Sequence, residues 1–223
     1  SLQCDYRQSG SLQLAGSTEE ESELRESQQL LSEDGFRAEL IEDLPSHYEN
    51  ANFNVGVLLP DDGEIQPAQY VRQCVRRFHD RGLRVFENSP VLEINDGSDG
   101  VTCVCAKGTV SAQVAIVCTN AQIANLCPIL KNKIDPVRGQ MLSTSPVSPI
   151  FERPIYADHG YDYWRQCPDG RIVLGGWRNL DPDTEIGCDE ILHQGIQSNM
   201  EAFLRRFEAL QNITIENRWS GIM

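Results

Sequence analysis

The stretch 162-DYWRQCPDGRIVLGGWR-178 decides how the rest of the chain is read. Tyr163, Trp164 and Arg165 precede a Pro168-Asp169-Gly170 turn, and an apolar run then leads into Gly175-Gly176-Trp177-Arg178. Two short strands around such a turn make a β-hairpin. A purely structural hairpin rarely needs Trp on both arms, so the question is what this one faces. Strand alternation lets only one of Tyr163 and Trp164 point to a given side.

Working outward, 137–178 is rich in strands: "VRGQMLSTS", "PIYA", "YDYWRQC" and "RIVLGGW". A helix is expected near 189–207, with Leu192, Ile196, Met200, Phe203 and Phe207 on one stripe. "ITIENRWSGIM" then reads as a closing strand. Upstream, "LAGSTEEESELRESQQLLSEDG" predicts a surface helix with Thr18 and Glu21 as a capping box and Gly35 as its stop. "CDYRQSGSLQLA" before it reads as a hairpin of two short strands, and "FNVGVLLP" as another strand. "PDDGEIQPAQYVRQCVRRFHDRG" predicts a helix with Pro67 in its first turn, Val71, Val75 and Phe78 on one face, and Gly82 at its end.

"LRVFENSPVLEI" reads as two strand pieces, "NDGSDG" as a turn, and "VTCVCA" and "TVSAQVAIVCTNA" as two further strands. In the last, apolar residues run over 109–118 on both parities, as in a strand covered on both faces. The expected fold is α+β: a mixed, mostly antiparallel sheet with flanking helices, plus a small three-stranded layer and a helix.

A chain of 223 residues suits one large domain or two small ones. Its net charge of −14 opposes nucleic-acid and anionic-membrane binding, which need a cationic footprint. It is compatible with a cationic substrate and equally with plain solubility. No apolar run approaches the ~20 residues of a membrane span, and the start resembles no signal peptide, so no integral membrane segment and a cytoplasmic location are expected. Because the chain starts with Ser, it reads as cut or processed from something longer. The 8 cysteines form no CxxC or Cys/His cluster. Cys103 and Cys105 share a strand face, so the cysteines read as free, small hydrophobes and no metal site is expected.

Taken in order, "GSLQLA" with its polar helix, "GEIQPAQYVRQCVRRFHDRGLRVFENSPVLEI", "VSAQVAIVCTNA", "PVRGQM", "YDYWRQCPDGRIVLGG" and "RWSGIM" carry a likeness. The chain resembles the D-amino-acid oxidase, glycine oxidase and sarcosine oxidase group of FAD-dependent oxidoreductases. It stands nearest the subgroup acting on amines and γ-glutamylated polyamines, of the γ-glutamylputrescine oxidase kind. The resemblance covers nearly all of the chain and implies removal of a hydride from a carbon bearing nitrogen in a small amine or amino-acid substrate. It also implies a division: 1–59 and 129–223 as the two parts of the substrate domain, and 60–128 as the distal part of the FAD-binding domain.

Two departures qualify the likeness. The family's GxGxxG turn, which seats a pyrophosphate on a helix N-terminus, is absent, and the chain ends at Met223 just after the "W-x-G" strand. The chain therefore reads as the middle of a flavoenzyme, inactive alone and holding no FAD alone. An apolar face left beside the 109–118 strand is then a site for self-association. A non-catalytic binding or interaction module that retains the substrate-domain fold is the alternative.

The resemblance also names site residues. In relatives the strand pair matching 162–178 lines the cavity over the flavin, which puts Tyr163, Trp164 and Trp177 at the substrate, or else in a patch packing the sheet against the 189–207 helix. Arg138 and Gln140 share one face of their strand, with Gln140 reaching substrate or flavin, or with Arg138 held to a carboxylate at the sheet edge. Arg165 and Arg178 are either clamps for a substrate carboxylate or plain surface cations. For the cofactor, Val91 matches the stretch that meets the adenine through its main chain, and Thr119, Asn120 and Ala121 match the strand end near the pyrophosphate. The same three residues also suit a routine strand end and helix cap.

Overall fold

The computed structural model describes residues 2–187 and 189–223; Cys188, one of the cysteines read as free thiols, lies outside the described residues. In chain order the elements are β1 (Ser11–Ala15), α1 (Thr18–Glu33), β2 (Glu39–Ile41), the single-turn α2 (Ser46–Glu49), β3 (Val55–Leu59), α3 (Pro67–His79), β4 (Val91–Gly97), β5 (Gly100–Cys105) and β6 (Gly108–Ala112). There follow β7 (Arg138–Thr144), β8 (Ile155–Ala157), β9 (Asp162–Gln166), β10 (Ile172–Gly176), α4 (Gln194–Leu204) and β11 (Ile215–Ile222).

Eight strands form one sheet in the order β11-β7-β10-β9-β8-β1-β3-β2, and β4-β5-β6 form a second, antiparallel sheet. In the larger sheet only β1 and β8 run parallel. This is the α+β fold with a mostly antiparallel sheet and a small three-stranded layer that the sequence predicts.

Strand alternation gives the large sheet two unlike faces. One carries Leu12, Leu14, Leu142, Ile155, Trp164, Ile172 and Leu174, and packs with Ile196, Met200 and Phe203 of α4 into the main core. On the other, α1 covers only the end near β2, where Leu24 packs with Ala15, Val55 and Val57. Between β8 and β11 no α-helix among the described residues packs on that second face.

Several local readings are corrected. The cap of α1 is Ser17, one residue earlier than expected: its extended backbone lets the hydroxyl accept the Glu20 N–H at 3.1 Å, while Glu20 accepts the Gly16 N–H at 2.8 Å. The segment before β1 forms no hairpin with it, because β1 has both edges taken by β3 and β8; Arg7 bridges to Glu64 instead. Residues 83–90 form no strand, since a turn with Asn88 at φ 51° interrupts them. The 109–118 strand stops at Ala112, because β6 pairs only with β5; β6 is exposed along its length, and beyond it Val114 and Ile116 stay exposed, Ile116 at 84 %, while Ala115 and Val117 are partly buried.

Helix α4 begins at Gln194 rather than near 189, with His193 as its cap: Nδ1 accepts the Ile196 N–H at 3.1 Å. The preceding residues are held by side chains of β7, as described next.

Candidate active site

The 162–178 stretch folds as the expected hairpin. The Gly170 N–H donates to the Cys167 carbonyl at 2.9 Å, and Gly170 takes φ 88°, which suits glycine at the end of a Pro-Asp-Gly turn. The register sets Trp164 opposite Leu174 and Tyr163 opposite Gly175. The two aromatics therefore point to opposite faces.

Trp164 lies in the main core, its ring 4.9 Å from Phe203 and 6.0 Å from Phe151. Trp177 packs 5.0 Å from the same Phe203. Gln140 is fully buried on this side too. Its amide nitrogen donates to Glu185 Oε2 (2.9 Å) and the Ile191 carbonyl (3.0 Å), and its oxygen accepts from the His193 N–H and Gln197 Nε2, both 3.2 Å. Beside it Arg138 donates to the Asp189 carbonyl at 3.1 Å and stands 3.8 Å from buried Glu185. Together Arg138 and Gln140 tie the segment before α4 to β7. Of the four expected substrate residues, the structure thus brings Gln140, Trp164 and Trp177 to the α4 side and Tyr163 to the other.

The helix-free face has its own alignment. Cross-strand partners run Trp219–Met141–Gly175–Tyr163–Tyr156–Gln13 from β11 to β1. The Tyr163 hydroxyl donates to Met141 Sδ at 3.5 Å, and the two side chains meet above Gly175. A Cβ on Gly175 would overlap Met141 Sδ and stand 2.5 Å from Tyr163 Cε2, so only glycine permits this pair. Gly139 lies 3.8 Å below the Tyr163 hydroxyl by the same measure, and a Cβ there would crowd Met223 Cε at 2.7 Å. The two glycines thus let Met141, Tyr163 and Met223 lie directly on the sheet, in a low layer that Trp219 continues on β11.

Electrostatics favour a neutral phenol there. Burial pushes the Tyr163 hydroxyl above its ordinary value, against a smaller opposing pull from Arg178. Arg178 itself lies 5.5 Å over the Tyr161 ring. Arg165, on the same face as Tyr163, is committed: it donates to Glu64 Oε2 at 3.1 Å and to the Ile65 carbonyl at 2.7 Å, and Arg7 pairs with the same buried Glu64. Next to Tyr163, Asp162 has its carboxyl pushed up to about 7, chiefly by burial, with Asp158 adding to the rise.

The expected cofactor residues sit elsewhere in the fold. Val91 opens β4 opposite Cys105 and is half-buried. Thr119 and Asn120 are exposed, Asn120 at φ 47°, and they lead with buried Ala121 into a 3-10 turn over Asn120–Asn125. Sequence reasoning missed Met141, Gly175 and Tyr156. Their signal was parity: in "VRGQM", Gly139 and Met141 have the opposite phase to Arg138 and Gln140.

With this geometry in place, comparison with known proteins decides the family. A family model described as FAD dependent oxidoreductase, DAO, matches residues 1–223. The chain belongs to that family. Among curated relatives, glycine oxidase of Bacillus subtilis is 25% identical over 223 residues, covering 98% of this chain and 58% of that protein. A probable oxidoreductase, OrdL, of Haemophilus influenzae is 25% identical over 190 residues, covering 80% of this chain and 42% of its own length. The chain thus spans about half the length of these relatives. The crystal structure of glycine oxidase from Geobacillus kaustophilus superposes with a TM-score of 0.83 at 17% identity, covering 99% of this chain and 60% of that one. The L-proline dehydrogenase structure from P. horikoshii gives 0.81 at 18% identity, over 98% and 61%. These superpositions show the DAO fold.

Proposed function

We propose that the protein containing this chain oxidises a C–N bond of a small amine or amino acid, and that the helix-free face around Tyr163 is where the substrate meets the flavin. The observation that carries the reading is a half-buried, neutral tyrosine hydroxyl beside Met141 and Trp219 on a sheet face that no helix covers, in a chain of the FAD-dependent family. Bound FAD supplies the acceptor for the hydride that leaves the carbon next to nitrogen.

Met141, Tyr163 and Trp219 are the residues that would face the isoalloxazine and the reacting end of the substrate, with Gly139 and Gly175 letting them lie close to the sheet. Val91 and Thr119–Ala121 would meet the adenine and pyrophosphate through their main chain. No GxGxxG turn occurs in the 223 residues, which supports weak retention of FAD by this chain alone.

This chain's part in the reaction is orientation. The neutral Tyr163 hydroxyl donates to or accepts from the polar end of the substrate, Met141 and Trp219 present apolar walls, and Arg178 supplies the nearby positive charge. Trp164, Trp177 and Gln140 support that surface from behind. The division into 1–59 with 129–223 and 60–128 is supported by sheet membership, since the large sheet draws its strands from 11–59 and 138–222 and the small one from 91–112. Exposed Val110, Val114 and Ile116 support self-association through that part of the chain. No helix among the described residues is long and apolar enough to cross a membrane.

The test is anaerobic mixing of the FAD-loaded protein with a panel of primary and secondary amines and amino acids. Bleaching of the flavin by at least one of them is expected. Flavin that none of them reduces would overturn the reading.

A further inference from the structure

The aligned row on the helix-free face does not stop at Tyr163. Tyr163 faces Tyr156 across β9 and β8, with ring centroids 6.5 Å apart, and Tyr156 faces Gln13 on β1. Beyond them α1 rises over the sheet, and helix and sheet enclose a groove of 380 Å³. Tyr156, 42 % exposed, and Gln13 form its floor, while Leu24 supplies an apolar wall.

The carboxylates in the lining face no Lys or Arg. Glu20 and Glu23 project from α1 into the groove, joined by Ser27 and His159. Glu20 is fixed in place by the Gly16 N–H at 2.8 Å and the His159 N–H at 3.2 Å. Glu23 stands 3.2 Å from His159 Nδ1. An exposed tyrosine ring next to two carboxylates favours a cation, through the ring quadrupole and through Coulomb attraction alike. A distal carboxylate would be repelled. Two strand spacings, roughly 10 Å, separate the positions of Tyr163 and Gln13 along the row, which suits a short alkyl chain lying across Tyr156.

We propose that this groove is the distal subsite of the amine substrate and holds a second, positively charged group at the far end of an alkyl chain. The proposal rests on the reading that Tyr163 marks the reacting end. Tyr156 and Glu23 then determine specificity, and the substrates taken best carry two amino groups rather than one.

Calorimetric titration of the FAD-loaded protein with diaminopentane and with pentylamine tests it. The diamine is expected to bind about tenfold tighter, with that advantage largely lost in Glu23→Gln and in Tyr156→Leu. Both side chains are exposed, and a thermal melt confirms that the variants fold. Equal affinity for the two ligands, or an advantage that survives both substitutions, would overturn the proposal. The two readings also fail separately. A diamine that binds through the groove without reducing the flavin keeps the subsite and removes the oxidation. Equal turnover of both amines, unchanged by Glu23→Gln, removes the subsite and keeps the oxidation.

Discussion

Tyr163 and Trp164 are neighbours in the chain with opposite surroundings, and the difference can be measured. Trp164 is 2 % exposed and surrounded by Phe53, Phe151, Phe203 and Phe207. Trp164→Ala therefore leaves a large cavity and should cost about 3–5 kcal/mol of stability, read from denaturant unfolding. A loss below about 1 kcal/mol would mean that the ring is not in the core. Asp162, on the other side of Tyr163, makes stability depend on pH. Its carboxyl is raised from 3.8 to about 7 in the fold, so the folded state holds the proton more tightly than the unfolded chain. The stability it contributes is complete below 3.8 and is lost as pH rises through about 7, where a half-buried carboxylate is left beside Asp158 and Glu20. In Asp162→Asn the decline across that window should flatten, and melting temperatures taken at a series of pH values check it. An unchanged slope would contradict the assignment.

At the scale of elements, the site is made by the register of β7, β9 and β10. Gly175→Ala puts a methyl where Met141 and Tyr163 meet, and should cost about 1–3 kcal/mol while forcing the two side chains apart. Thermal unfolding together with the near-ultraviolet tyrosine signal reads both effects, and an alanine variant with native values of both would remove the close-packed pair from the account. Most of these strands were legible in the sequence, because turn residues and alternating apolar residues are local signals; β3, β7, β8, β9, β10 and β11 all fall on predicted segments. So were α1, α3 and α4. What failed depended on neighbours that the sequence does not display. The stretch 109–118 has strand composition, yet only 108–112 finds a partner. The 4–15 stretch looked like a hairpin, but β1 is claimed from both sides by β3 and β8. The site was legible only in part for the same reason. Alternation showed that Tyr163 and Trp164 must part, and only the position of α4 says which of them enters the core.

Across the whole molecule, two faces of one sheet divide the labour. The side packed by α4 is closed by aromatic contacts and by the Arg138–Glu185–Gln140 network, and gives rigidity. The helix-free side offers a thioether and a neutral phenol lying close over glycines of the sheet, and extends into the acidic groove beneath α1. The central claim is that substrate oxidation belongs to this second side. Anaerobic stopped-flow reduction of the FAD-loaded protein compares the parent with Tyr163→Phe, which removes one hydroxyl and no packing. The account predicts a reduction rate at least about tenfold lower, equivalent to about 1.4 kcal/mol of lost orientation, with the melting temperature essentially unchanged. A Tyr163→Phe protein that reduces its flavin as fast as the parent would contradict it.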